Sequence, residues 1–139
     1  MAARAGWVLV VVMWAGGVQA GDVEPTVLDA TEVHVLLAGN TMYAETLLRR
    51  FADEPNRAFQ IYLREDGTLT IRNFDGNTDT GRWEVSEEGW FCNQYEQTRR
   101  GMHKCFEVRR MNGVYRLWDM DARRYGSEFV VQDGNPEGM

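Results

Sequence analysis

The chain has 139 residues, which is enough, once a leader is set aside, for one hydrophobic core and not two. Acidic residues outnumber basic ones by 21 to 15, a formal net charge of −6, and the arginines are scattered in pairs: Arg49-Arg50, Arg99-Arg100, Arg109-Arg110 and Arg123-Arg124. An acidic chain of this kind repels phosphate backbones, which excludes nucleic acid as the natural partner, and the pairs read as solvated strand ends and turns.

The N-terminus carries a targeting pattern. Arg4 is followed by the apolar run Trp7 to Ala15, and Val18 and Ala20 stand at the −3 and −1 positions before Gly21. This is the pattern of a signal peptide over residues 1–20, cleaved near Ala20-Gly21. The run is shorter than the roughly 20 residues of a spanning helix, so the mature form is expected to carry no membrane span. Residues 21–139 then form a single exported domain, periplasmic or secreted.

Residues 21–28 read as a lead-in with Pro25. Asp29 or Thr31 then caps a short helix, with Glu32 three residues after Asp29 as in a capping box. Val33, Leu36 and Leu37 share its apolar face, and Gly39-Asn40 ends it. The helix is expected to cover one end of a core.

After Asn40 the hydrophobic period falls to two. Asn40–Thr46 is the first strand. Phe59, Ile61 and Leu63 then alternate with polar neighbours, as do Leu69 with Ile71 and Trp83 with Val85. Turns follow at Glu65-Asp66-Gly67, Asp75-Gly76-Asn77, Glu87-Glu88-Gly89, Arg99-Arg100-Gly101 and Asn112-Gly113. The last two strands flank the segment Asp121–Arg124. Eight short strands at roughly 8–12-residue spacing, joined by short turns, predict an all-β, eight-stranded antiparallel up-and-down barrel with one short N-terminal helix; the alternative is a β-sandwich. The stretch Leu47–Arg57, broken by Pro55, is the one long connection and reads as a lid-like loop or helical turn.

Cys92 and Cys105 lie on neighbouring predicted strands, where a directly opposed pair is close enough for a disulfide. An exported chain with two cysteines and none left over favours that bond. The alternative is a metal site of His103, Cys92 and Cys105, since His103 and Cys105 share a strand face and three such ligands suit zinc. Haem ligation through Met102 or His103 is the remaining reading; no cofactor is expected.

Gly39-Asn40-Thr41, Tyr62 with Asp66-Gly67, Gly81-Arg82-Trp83, Cys92 with Cys105-Phe106, and Gly134-Asn135-Pro136-Glu137-Gly138 occur in that order. In this the chain resembles a family of small secreted proteobacterial proteins of uncharacterised function. The resemblance implies a lipocalin-like β fold and a periplasmic life, and carries no catalytic residues. Gly81-x-Trp83 is also similar to the lipocalin signature, which in lipocalins lies on the first strand and here falls on about the fourth.

Catalytic constellations are not evident. Asp119 with Asp121, and Glu87 with Glu88, read as solvated turn carboxylates. If the face of Asp119 turns inward it needs a partner, which Arg116 on the opposite face does not supply. Ser86 and Ser127 lie outside any nucleophile elbow. Asp75, Asn77 and Asp79 alternate as calcium loops do, but Ser86 stands where the bidentate glutamate belongs. The expectation is therefore a non-catalytic binding or protein-interaction module, with an enzyme of unknown type as the third reading. One form holds a small apolar ligand in the barrel, lined by Phe59, Ile61, Trp83 and Phe129. The other meets an unknown protein partner through its loops.

Overall fold

The computed structural model describes residues 24–48, 51–54 and 56–139. The predicted signal peptide lies outside the described residues. Among the described residues, no helix is long and apolar enough to cross a membrane.

The elements run β1 (Thr26–Val27), α1 (Ala30–Leu37), β2 (Asn40–Thr46), β3 (Ala58–Leu63), β4 (Thr68–Arg72), β5 (Thr78–Val85), β6 (Phe91–Tyr95), a 3-10 turn (Thr98–Gly101), β7 (Lys104–Met111), β8 (Val114–Asp119) and β9 (Arg124–Asp133). Strands β2 to β9 pair with their sequence neighbours in antiparallel order, and β9 returns to β2 with Met42 opposite Val131. The result is the expected closed barrel of eight strands in simple meander order. Closure leaves these strands no free edge. The addition is β1, which pairs with β7 through Thr26↔Arg110 and Val27↔Arg109, beyond the point where β6 ends. Two residues are too few to display alternation, so the lead-in gave no sign of it.

Alternation places one residue in two inside the cylinder. Met42, Ile61 and Ile71 lie side by side across three strands, and Leu63 faces Leu69. Phe91, Val108, Leu117 and Phe129 complete the buried core from the other strands. At roughly 1.5–3 kcal/mol per buried large apolar side chain, this interior is the main source of stability.

One end of the barrel is shut. Asp29 accepts a hydrogen bond from the Glu32 N–H at 2.8 Å while Glu32 reaches back to the Asp29 N–H, the expected capping box. Val33 and Leu37 of α1 are fully buried over the core. Gly39, at φ +75°, then turns the chain into β2. Trp83, on the fourth strand of the barrel, is buried at this end. Its Nε1 donates to the Arg64 carbonyl at 2.8 Å and its ring lies 6.0 Å from that of His34 on α1. The start of β2 and the segment after β9 also meet here. Asn40 Oδ1 accepts from the Gly134 N–H at 3.1 Å, and Thr41 Oγ1 donates to the Gly134 carbonyl at 2.7 Å.

The opposite end carries the β2–β3, β4–β5, β6–β7 and β8–β9 connections. It is there that the interior stops being apolar.

Candidate functional site

The inward positions near the open end carry polar groups: Asn93 from β6, Lys104 from β7, Asp119 from β8 and Ser127 from β9. Asn93 pairs with Lys104, and Leu117 with Ser127, in the strand register. Asp119 is 4% exposed. Its Oδ1 accepts from the backbone N–H groups of Asp121 (3.0 Å) and Ala122 (2.9 Å), which builds the β8–β9 turn. Its other oxygen receives the Lys104 ammonium. The sequence reading of Asp119 as a solvated turn residue is thus corrected, while its need for a partner if buried is met by Lys104 from the next strand. Desolvation pulls the Asp119 carboxyl upward, but the Ala122 N–H and the Lys104 ammonium outweigh it and hold it below the usual carboxylate range.

The β6–β7 connection adds a cation. Arg99 and Arg100 both adopt left-handed backbone, at φ +55° and +56°, followed by Gly101 at φ +67°. Side chains are strained there, by about 1 kcal/mol or more each. The turn sends Arg99 inward, where its guanidinium donates to Asn93 Oδ1 and lies 4.9 Å from the centre of the Tyr95 ring and 5.7 Å from that of Phe106. Arg99 is half-buried, and this corrects its reading as a solvated turn residue. Burial lowers its pKa, and the opposing influences are Tyr95 and Asp119. Burial likewise pushes the Tyr95 phenol up to about 12, so it stays neutral.

Asp79 fixes the start of this turn. Its Oδ2 accepts from the N–H groups of Gln97 and Thr98, and its Oδ1 from that of Thr80 at 2.8 Å. Desolvation raises its pKa, and these backbone donors more than offset that. Its oxygens serve the loop backbone.

Asn93, Tyr95, Arg99, Lys104, Asp119 and Ser127 all line a pocket of about 230 Å3. Its walls include Phe59, Ile61, Ile71 and Phe106, and its polar rim Arg99 and Lys104. Of the four residues proposed from sequence, Phe59 and Ile61 line it. Trp83 sits at the helix end, and Phe129 packs against Tyr115 with ring centres 5.4 Å apart, away from the pocket. A bulge lies beside it: Leu117 pairs with Ser127 but Trp118 with Tyr125, which leaves Gly126 as the extra residue on β9. Bulges of this kind re-aim side chains next to binding sites. A larger depression of about 700 Å3 lies over β4–β6 and includes Arg64, Thr80, Arg82 and Gln94.

Cys92 and Cys105 face each other in register, with Cα atoms 4.0 Å apart, and form the expected disulfide. His103 does gather near them, the three candidate ligand atoms lying within 4.8 Å of one another. Both sulfurs are bonded to each other, however, so the metal alternative loses two of its three ligands. His103 is exposed, with Nε2 4.0 Å from Glu84.

Sequence reasoning missed Asn93, Lys104 and Arg99. Asn93 and Lys104 could have been found from strand parity, because each lies two residues from a core aromatic, Phe91 and Phe106, and so shares its face. Arg99 had no such signal, since its direction depends on a turn conformation that Arg seldom adopts.

Compared with family models, curated proteins and solved structures, the chain matches none of them.

Proposed function

We propose that this chain is a non-catalytic binding module of an exported compartment, which takes a small ligand into the open end of its barrel. The observation that carries this reading is the asymmetry of the interior. It is packed solid from α1 to mid-barrel, then opens into a pocket of about 230 Å3 with apolar walls and a few convergent polar groups. A pocket of this size suits a small molecule and not a long lipid. The non-catalytic reading is supported by how the titratable groups are used: Asp119 is engaged by Lys104 and two backbone amides, and Tyr95 is held neutral. Export to the periplasm or beyond is supported by the signal-like N-terminus and the disulfide.

The test is native mass spectrometry on protein isolated from its own exported compartment. The expected result is a non-covalent small-molecule adduct, lost on denaturation and absent from Ser127→Phe, which fills the pocket. A bare mass for the natural protein, or an adduct that Ser127→Phe retains, overturns the reading. A second reading rests on the loops at the same end, where Phe51 and Phe74 are 70% and 62% exposed. Exposed aromatics suit a protein partner. A stoichiometric protein complex that survives Ser127→Phe would favour it.

A further inference from the structure

We infer that the pocket is an anion site, and that its ligand is a small monocarboxylate with an apolar body, anchored by the guanidinium of Arg99. This rests on the binding reading above and names the ligand class for it.

Charge comes first. Two cations, Arg99 and Lys104, reach the pocket, and one carboxylate, Asp119, lines it. Lys104 and Asp119 neutralise each other, and two backbone amides occupy the second Asp119 oxygen. Arg99 makes no ion pair among the described residues. Its hydrogen-bond partner is the neutral amide of Asn93, and the rings of Tyr95 and Phe106 lie nearby. Asp119 is the carboxylate that bears on it electrostatically, and that charge is already shared with Lys104. Asp79 is turned onto the amides of residues 80, 97 and 98. Among the described residues the pocket therefore holds one surplus positive charge, half-buried, on a side chain with five donors of which one is used. Such a charge lowers stability unless it meets an anion.

Backbone conformation is the second, independent observation. Two consecutive arginines are held in the left-handed region, where glycine would sit without strain. The exposed residues Arg100 and Arg123 share this conformation, so the angles belong to the turns; what distinguishes Arg99 is that its turn directs the side chain inward. Asp79, and Asn73 Nδ2 donating to Thr98 Oγ1 at 3.2 Å, brace the turn from outside. These contacts fix where Arg99 points. What they secure here is a guanidinium inside the barrel mouth of an acidic protein.

Size and wall chemistry set the rest. About 230 Å3 corresponds to roughly eight water volumes at about 30 Å3 each. Phe59, Ile61, Ile71 and Phe106 give apolar contact, so the body is an aromatic ring or a short aliphatic chain. The planar fork of Arg99 suits a carboxylate, bound through two parallel hydrogen bonds.

Calorimetric titration of the full mature chain with benzoate, and separately with uncharged benzyl alcohol, tests this. Benzoate should bind at least tenfold more tightly than benzyl alcohol. Arg99→Gln should weaken benzoate roughly ten- to hundredfold, the loss expected when a charge-assisted hydrogen bond is removed, and leave benzyl alcohol within about twofold. Arg100→Gly, which relieves neighbouring strain without touching the pocket charge, should keep benzoate binding. Thermal melting of each variant establishes that it is folded, and Arg99→Gly serves if Arg99→Gln is not. Equal binding of the two probes, insensitive to Arg99 but abolished by Ser127→Phe, overturns the anion assignment and leaves the pocket reading standing. Binding of neither probe to the natural protein overturns the ligand class. If the adduct test also fails, the pocket reading goes with it.

Discussion

The carboxylate of Asp79 accepts a hydrogen bond from the backbone N–H of Thr98 at 2.7 Å, and a second from Gln97 at 3.0 Å. One β5 side chain thus anchors the loop that aims Arg99. Asp79→Ala leaves those amides without their acceptor and is predicted to cost about 1–3 kcal/mol. The sharper expectation is local: amide hydrogen exchange across residues 97–101 should quicken far more than exchange in β3 or β4. Uniform acceleration across the barrel would show that Asp79 matters to the fold generally and not to this turn.

The disulfide closes a loop with a sequence separation of 13, and that loop contains the same turn. In the chain-entropy model a bond of this span contributes roughly 3 kcal/mol. Replacing both cysteines with alanine should lower the unfolding free energy by about that amount, measured by urea denaturation. Purified, unreduced protein should titrate no free thiol. A double variant as stable as the natural chain would remove the bond from the account of stability.

Gly81 is required by a close strand approach. A Cβ built there would lie 2.2 Å from the Gln94 carbonyl oxygen and 2.9 Å from the Tyr95 Cα, both backbone atoms. Neither can swing aside as a side-chain end would. Gly81→Ala is therefore predicted to destabilise by about 3 kcal/mol, at the upper end of ordinary overpacking. Gly76, a glycine with nothing within 4 Å of its added Cβ but at φ +84°, separates the two causes. Gly76→Ala carries backbone strain alone and should cost about 1 kcal/mol. Equal melting shifts for the two variants would contradict the steric argument.

The fold was legible because its information is local and periodic. Alternation at Phe59-Ile61-Leu63, the Asn112-Gly113 turn with both residues at positive φ, and the Asp29/Glu32 cap each specify a neighbourhood of a few residues. Closure follows from eight such strands in meander order. The site is different in kind. Lys104 and Asp119 are 15 residues apart, and only the register of Phe106 with Asp119 brings β7 and β8 together there. Alternation raised the inward option for Asp119, and it would have placed Lys104 inward too had it been followed from Phe106 along β7. The direction of Arg99 is set by two unusual backbone angles, which no hydrophobic pattern encodes.

Stability should fall on the acid side through the carboxylates of Asp79 and Asp119. Both are held below the usual range, because backbone donors, and for Asp119 also Lys104, outweigh desolvation. A carboxyl whose folded pKa is depressed stabilises above its unfolded value of about 3.9. That contribution is lost as the pH falls through this value toward the folded one. Urea midpoints should accordingly be lost below about pH 4, and Asp119→Asn should flatten the acid limb. An acid limb unchanged by Asp119→Asn would assign it to other groups.

The Lys104–Asp119 pair gives the last prediction. It is largely buried, with side-chain exposures of 20% and 6%. Breaking such a pair by removing one partner strands the other charge away from water, which costs about 3–5 kcal/mol. Lys104→Met should approach that range, because Asp119 keeps its two backbone donors but loses its counter-charge. Asp119→Leu should cost more, since the β8–β9 turn also loses its acceptor and Arg99 and Lys104 are left facing each other across the pocket. The double variant should be less destabilised than the sum of the two single changes, by about 2 kcal/mol of coupling, because no lone charge remains from the pair. A double-mutant cycle by urea denaturation reads this directly. Strict additivity would mean that the two side chains do not interact in solution, and the surplus positive charge assigned to the barrel mouth would then have to be shared between Lys104 and Arg99.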